Sequence, residues 1–130
     1  MAHIGLRPQT VHQMGGFVVQ GKSEQAARLL ATEAKAYEQA GAYALLLEGV
    51  PSDVAAHITK SVTIPTIGIG AGVECDGQVL VIYDLLGMDT AFNPKFARKY
   101  LQLHATIVDA AKQFALDVQE KRFPLPENSY

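Results

Sequence analysis

The stretch that decides the predicted fold is Tyr43-Ala44-Leu45-Leu46-Leu47-Glu48-Gly49-Val50-Pro51. Its continuous apolar run, residues 43–47, is typical of a strand that is buried on both faces. The run stops at Glu48, and the glycine and proline that follow break the chain. Because ligands bind at the carboxyl ends of parallel strands, we interpret Glu48 as a candidate catalytic group. The alternative is that Glu48 is only the first polar residue after a strand.

Helical patterns flank this strand on both sides. Ser23 can cap a helix before it, and the apolar face of that helix follows at steps of four, four and three residues: Ala26, Leu30, Ala34 and Tyr37. After the strand, Ser52 and Asp53 are capping residues for a shorter helix. The apolar side of this second helix comprises Val54, Ala55, Ile58 and Val62.

Two further apolar runs predict two further strands. Residues 64–70 form the first and lead into a glycine-rich turn, residues 68–72, while residues 79–83 form the second and end at Asp84. Residues 3–9 are predicted as a loop, within an opening segment that shows no clear helix. A last helix is predicted from a cap at Asn93 and Pro94 and an apolar stripe: Phe96, Tyr100, Leu103, Ile107, Ala111, Phe114 and Val118.

The alternation of helices and apolar strands predicts an α/β protein whose parallel sheet is covered by helices. In such a sheet Glu48, Asp84 and the 68–72 turn would share one edge, where paired acids could transfer protons or bind a metal. The alternative for Asp84 is a cap of the turn that follows it. The glycine-rich turn lacks the lysine of a P-loop, so we interpret it as a close backbone approach to a ligand.

Composition excludes several classes of function. The chain has 130 residues, of which 48% are hydrophobic, and this length fits one domain. Its net charge of −2 does not indicate a basic surface for binding nucleic acid. No apolar run reaches the roughly 20 residues of a membrane span, and the first residues lack the pattern of a signal peptide. The single cysteine, Cys75, cannot form an internal disulfide. We therefore expect a cytoplasmic protein.

A metal centre built by this chain is not predicted. The histidines show no metal-ligand spacing: His3, His12, His57 and His104. Cys75 has no basic neighbour that would make its thiol a nucleophile. His57 and His104 lie on predicted helices, where structural roles are more common, whereas His3 precedes a glycine in the opening loop.

Six segments resemble the ketopantoate hydroxymethyltransferase family, whose members are 3-methyl-2-oxobutanoate hydroxymethyltransferases of pantothenate biosynthesis. The segments are residues 3–9 (HIGLRPQ), 15–21 (GGFVVQG), 46–51 (LLEGVP), 64–72 (IPTIGIGAG), 75–81 (CDGQVLV) and 123–124 (FP). They follow the family's order and extend over nearly the whole chain, so the resemblance is specific.

The resemblance implies a (β/α)8 TIM barrel about twice as long as this chain. On the family's motifs, the chain starts at the end of the fifth strand and carries strands six to eight with their helices. Residues 1–130 would then be a single partial barrel segment from the carboxyl-terminal half. A long helix is expected at 95–120 and an irregular tail at 122–130.

The resemblance also implies a one-carbon transfer. In the family, 3-methyl-2-oxobutanoate and 5,10-methylenetetrahydrofolate give 2-dehydropantoate, while Mg²⁺ holds the keto acid. The family's catalytic glutamate lies in the motif that contains Glu48, so Glu48 would be the general base that removes the proton beside the ketone. His3 matches a histidine near the keto acid and would bind the substrate.

The family's Mg²⁺ ligands belong to its amino-terminal half, so we expect no metal site and little activity from this chain alone. Its partners would be the keto acid, the folate, and either further copies in a homo-oligomer or a complementing amino-terminal half. Two other interpretations stay open. One is a non-catalytic assembly subunit that contacts a full-length enzyme through the apolar stripe of the last helix. The other is an unrelated keto-acid or phospholactate-type barrel enzyme.

Overall fold

The structure, a computed structural model, describes residues 1–13, 15–91 and 93–130. In these ranges four strands and four helices follow one another along the chain: β1 (Ala2–Gly5), α1 (Glu24–Gln39), β2 (Leu45–Glu48), α2 (Ser52–Ser61), β3 (Thr66–Ile69), β4 (Gly77–Gln78), α3 (Ile82–Leu86) and α4 (Leu103–Gln119). The chain divides into two compact units, residues 1–80 and residues 81–130, and each is described by itself.

The first unit is a parallel sheet whose neighbouring strands are also neighbours in sequence. The strand order is β1-β2-β3-β4, and each adjacent pair runs parallel. Parallel strands need a crossover connection, which α1 supplies between β1 and β2 and α2 supplies between β2 and β3. The predicted α/β class with a parallel sheet is therefore confirmed.

One face of this sheet carries the hydrophobic core. Ile4, Leu45 and Leu47 project to it and are fully buried, because alternate residues of a strand lie on the same side. They belong to one cluster with residues from both crossover helices: Leu30 and Ala34 from α1, and Ala55 and Ile58 from α2. Both helices thus cover the same face, an arrangement that is compatible with part of a (β/α)8 barrel.

The two crossover helices form where apolar periodicity predicts them, but only α1 has its predicted cap. The helix α2 begins at Ser52, after Pro51 and without a side-chain cap, so the predicted capping by Ser52 and Asp53 is wrong.

The ends of α1 are held by side-chain hydrogen bonds. The Ser23 hydroxyl accepts a hydrogen bond from the backbone N–H of Ala26 at 3.2 Å and caps α1. Near the other end of α1, the Glu38 carboxylate accepts from the hydroxyl and backbone N–H of Thr63 and from the backbone N–H of Ile64. These hydrogen bonds, that of the hydroxyl first, hold the pKa of Glu38 below its usual value.

Residues 70–76 connect β3 to β4 without a helix. Ala71 and Cys75 in this segment are buried and belong to the same core cluster as the residues under α1 and α2. The segment therefore covers part of the sheet that a crossover helix would otherwise cover. Burial raises the pKa of the Cys75 thiol and keeps it neutral, which is unfavourable for a nucleophile.

Reciprocal hydrogen bonds between Asp76 of this segment and Thr66 hold the segment against the start of β3. The backbone N–H and the hydroxyl of Thr66 donate to Asp76 Oδ2 at 2.8 and 3.0 Å, and the backbone N–H of Asp76 donates to Thr66 Oγ1 at 3.2 Å. Thr66 is fully buried, and its hydroxyl also lies 2.9 Å from that of Thr59. The Thr66 N–H, followed by the hydroxyl, lowers the pKa of Asp76 from its usual value.

We expect replacement of Asp76 with Asn to weaken the dependence of the free energy of unfolding on pH in the acid range. A carboxylate whose pKa is lower in the folded state stabilises the fold above its unfolded pKa of about 3.9. That contribution is lost as the pH falls through the folded pKa. Chemical denaturation followed by circular dichroism between about pH 5 and pH 2 should therefore show a shallower loss of stability in Asp76→Asn than in the unmodified chain. The exposed neighbour Glu74 supplies the control, because Glu74→Gln removes a carboxylate and leaves the hydrogen bonds between Asp76 and Thr66 in place.

The prediction of a loop at residues 3–9 is wrong at its start. Residues 2–5 form β1, so the sheet has four strands where the apolar runs predicted three. Ile4 is the one large apolar side chain that β1 adds to the core, while His3 lies on the opposite face. A four-residue strand with one core side chain is too short to show an apolar run.

The prediction of a strand at residues 79–83 is also wrong. The fourth strand is only Gly77–Gln78, and the chain enters α3 at Ile82. Val79, Val81 and Ile82 are all about half exposed, so the apolar run does not mark a buried strand. Asp84 is buried within the first turn of α3 and does not end a strand.

The second unit contains α3, α4 and the chain between them. The last helix starts at Leu103, so the predicted start near residue 95 is wrong. The preceding segment is held by other hydrogen bonds: the backbone N–H of Tyr100 donates to the Leu85 carbonyl at 2.8 Å, and Lys99 Nζ donates to the Asp89 carbonyl at 3.3 Å. The tail contains one short 3-10 turn, Pro126–Asn128. The description of residues 1–130 as a single partial barrel segment stays a prediction.

The longest helices are α1 and α4. None of the helices in the described ranges combines the length and the apolar character that a membrane crossing requires. The cytoplasmic location stays a prediction.

Candidate active site

Glu48 is the last residue of β2 and lies at the carboxyl edge of the sheet. Its register partners on the neighbouring strands are Gly5 of β1 and Ile69 of β3. Because the strands are parallel, the glycine-rich turn that follows β3 starts at this same edge. The sheet thus brings Glu48 and that turn to one edge, as predicted.

The side chains of His3 and Glu48 share the face of the sheet that lies opposite to α1 and α2. His3 on β1 is paired with Leu46 on β2, and Glu48 lies two residues after Leu46 on β2. All three side chains therefore project to one side of the sheet. The side chains of His3 and Glu48 are 24% and 17% exposed. This face, which we call the open face, is therefore half-buried and still accessible to a ligand.

His3 and Glu48 are in direct contact on the open face. His3 Nε2 lies 3.0 Å from Glu48 Oε2. Nε2 is itself buried and has no hydrogen-bond partner among the described residues. A carboxylate thus stands beside an imidazole ring that has hydrogen-bonding capacity to spare.

The backbone next to the Glu48 carboxylate is held from both sides. The carbonyl of Glu48 and the N–H of Gly49 belong to one planar peptide group. Its carbonyl accepts from the N–H of Leu6 at 2.8 Å, and its N–H donates to the carbonyl of Ile69 at 3.0 Å. The exits of β1 and β3 therefore fix this peptide between them.

Arg7 is a further polar residue near the end of β1 that the sequence alone did not single out. Its Nη1 lies 3.3 Å from Glu33 Oε1 on α1, and its Nε is buried without a hydrogen-bond partner in the described ranges. Only its position just after a strand could have signalled it, and β1 itself has no clear sequence pattern.

The other candidate residues lie on helices and not at strand ends. His57 lies on α2 and is exposed, and His104 lies on α4 with Nδ1 3.2 Å from the Met88 carbonyl. Asp84 belongs to α3, so the predicted set of three strand ends loses one member. Among the described residues, no three or more His, Cys, Asp or Glu side chains form a group that could hold a metal ion.

A surface groove lies between α1 and α2, on the other side of the sheet. Its lining includes Glu24, Arg28, Asp53 and His57. Because both helices cover the face opposite to Glu48, this groove is separate from the His3–Glu48 contact.

Comparison with known proteins assigns the chain to a family. A family model described as Ketopantoate hydroxymethyltransferase matches residues 1–126. A curated relative from Nocardioides sp. (strain ATCC BAA-499 / JS614), named 3-methyl-2-oxobutanoate hydroxymethyltransferase, is 55% identical over 130 residues, which are all of this chain and 44% of the relative. Relatives of the same name from Oleidesulfovibrio alaskensis and Syntrophotalea carbinolica are 52% and 49% identical, and the chain covers 45% and 49% of them.

The chain therefore spans about half the length of the curated relatives that it matches. The match itself is nearly complete on the side of this chain, since the family model includes all residues except the last four. On this basis the chain belongs to the ketopantoate hydroxymethyltransferase family.

Proposed function

We propose that this chain contributes Glu48 and His3 to an enzyme that forms 2-dehydropantoate from 3-methyl-2-oxobutanoate and 5,10-methylenetetrahydrofolate. In this proposal the chain is the carboxyl-terminal part of a (β/α)8 barrel. β1 corresponds to the end of the fifth barrel strand, and β2 to β4 correspond to strands six to eight. The helices α1 and α2 would lie on the outside of the barrel, and the open face would line its interior.

One observation carries the proposal: His3 Nε2 lies 3.0 Å from Glu48 Oε2 at the carboxyl edge of a parallel sheet. In barrel enzymes this edge holds the active site. The family name of the curated relatives supports the reaction, and the half-buried contact supports the residues. A general base must reach a carbon-bound proton, and Glu48 has the chemistry and partial exposure for that task.

In the proposed reaction Glu48 removes the proton from the carbon beside the ketone of 3-methyl-2-oxobutanoate. The electrons of that C–H bond enter the enolate, and negative charge develops on the ketone oxygen. An imidazole N–H of His3 would donate to an oxygen of the keto acid and stabilise this charge. The enolate carbon then forms a C–C bond to the one-carbon unit as the bond from that unit to one folate nitrogen breaks. Water replaces the second folate nitrogen and supplies the hydroxyl group. The two nitrogens take up the proton held by Glu48 and the remaining proton of the water, and tetrahydrofolate leaves.

In this proposal the Mg²⁺ that holds the keto acid would be bound by residues from the part of the family's length that this chain does not span. The keto acid and folate are its proposed small-molecule partners. Homo-oligomer formation stays a prediction.

Complementation tests the proposal. The chain is mixed with the amino-terminal portion of the Nocardioides relative, and we call the resulting assembly the complemented protein. With Mg²⁺ and 5,10-methylenetetrahydrofolate, the complemented protein should form 2-dehydropantoate, whereas neither part alone should do so. Chromatography coupled to mass spectrometry measures the product. Absence of product from two parts that are shown to be folded and associated would contradict the proposal.

A second candidate function is that of a non-catalytic assembly subunit, and the exposed side of α4 favours it. No residue of α4 is buried, and Ile107 and Phe114 are 44% and 57% exposed. This reading would be supported if the chain bound the full-length Nocardioides relative, and if the activity of that complex did not change on Glu48→Gln in this chain.

A further inference from the structure

We propose that Gly5 is a positioning residue for Glu48, a role that rests on the function proposed above. Gly5 is the register partner of Glu48 and has φ +91°, a left-handed conformation that favours glycine. It does not touch the substrate in this proposal. It acts through the backbone that carries the Glu48 carboxylate.

The space beside Gly5 is filled by that backbone. A Cβ built on Gly5 would overlap the carbonyl oxygen of Glu48 and would lie 2.6 Å from Val50 Cγ2. A side chain at position 5 therefore requires a shift of backbone atoms, and a shift of a flexible side-chain end is not enough. The conformation at Gly5 also directs the N–H of Leu6 to the Glu48 carbonyl.

A displacement of the Glu48 carbonyl also displaces the Glu48 carboxylate. The Glu48 carbonyl belongs to the peptide group that Leu6 and Ile69 hold from opposite sides, at 2.8 and 3.0 Å. If a methyl group at position 5 pushes this carbonyl away, the planar peptide group is displaced as a unit, and this unit includes the Glu48 Cα. The Cα–Cβ direction of Glu48 then changes, and with it the carboxylate position on the open face.

Gly41 provides a matched control for the backbone strain. It has φ +90°, almost the same as Gly5, but a Cβ built on it meets no atom within 4 Å. The substitutions Gly5→Ala and Gly41→Ala therefore impose a similar conformational penalty. Only the first forces the Glu48 peptide to move.

The first measurement uses the chain by itself and is independent of activity. Amide hydrogen exchange, followed by NMR, should show the Leu6 N–H exchanging at least about tenfold faster in Gly5→Ala than in Gly41→Ala, because its hydrogen bond to Glu48 is broken. If Gly5→Ala does not fold, the double variant Gly5→Ala/Val50→Ala removes the overlap with Val50 and keeps the overlap with the carbonyl. Equal Leu6 exchange in the variant and its control would overturn the proposal.

The second measurement uses the complemented protein. Gly5→Ala should lower kcat about 100-fold and leave KM within about twofold, because a displacement of a catalytic group by about 1 Å has effects of this size. Gly41→Ala should keep both parameters. If Glu48→Gln is inactive but Gly5→Ala behaves like Gly41→Ala, the positioning role of Gly5 fails and the proposed function stands. If Glu48→Gln is fully active, the proposed function itself fails.

Discussion

Glu48→Gln lowers the rate of 2-dehydropantoate formation by the complemented protein by about 10²- to 10⁴-fold, which is the expected loss when a general base is removed. The amide keeps the size and shape of the side chain, so the loss is in kcat and the fold is retained. Rates are measured at saturating keto acid, with folding of the variant checked by circular dichroism. This is the largest effect on activity that we expect from a single substitution.

Glu24→Gln is the matched control for this result. It makes the same chemical change on α1, where Glu24 forms an exposed ion pair with Arg28 and does not contact the open face. Its rate should stay within about threefold of that of the unmodified protein, as for a surface ion pair. A Glu48→Gln variant that is as active as Glu24→Gln would remove Glu48 from the mechanism.

Leu47→Ala lowers the free energy of unfolding of the chain by about 2–5 kcal/mol, the range measured for deletion of a buried leucine side chain. Leu47 is fully buried in the core cluster under α1 and α2. Removal of its side chain leaves a cavity between the sheet and both helices. Urea denaturation followed by circular dichroism measures the change.

The neighbouring residue Leu46 supplies the control for this stability prediction. It projects to the open face and is only half-buried, so Leu46→Ala should cost about 1 kcal/mol or less. The two variants differ only in which face of β2 loses the same side chain. Equal costs would contradict the description of one packed and one open face.

The sequence predicts α1, β2, α2 and β3 because their apolar patterns are clear, and at α1 the predicted cap agrees with the pattern. Ser23 caps α1 as expected, and the run at residues 43–47 overlaps β2. The prediction from sequence fails at β1, whose four residues give the core a single large side chain. It also fails at residues 79–83, which are apolar but are not buried as a strand. Hydrophobicity predicts the tendency to be buried, but tertiary contacts decide which apolar residues are buried.

The candidate site, like the fold, is only partly predictable from the sequence. The position of Glu48 at a strand end is readable from the chain, because an apolar run stops at a carboxylate. The contact with His3 is not readable, because it depends on the pairing of β1 with β2 over a long stretch of sequence. The proposed role of Gly5 is even less predictable from the sequence, because it depends on the close approach of two backbones in the paired sheet.

The strand register also has a consequence for the order in which the sheet forms. Leu45 pairs with Thr66 on one side and with Ala2 on the other, and the second pair is about twice as far apart in sequence. Each doubling of a closed loop costs about 0.6 kcal/mol of chain entropy. Closure of β2 on β3 through α2 is therefore favoured over closure of β1 on β2. We therefore expect the pairing of β1 with β2, and with it the contact of His3 with Glu48, to form after the pairing of β2 with β3.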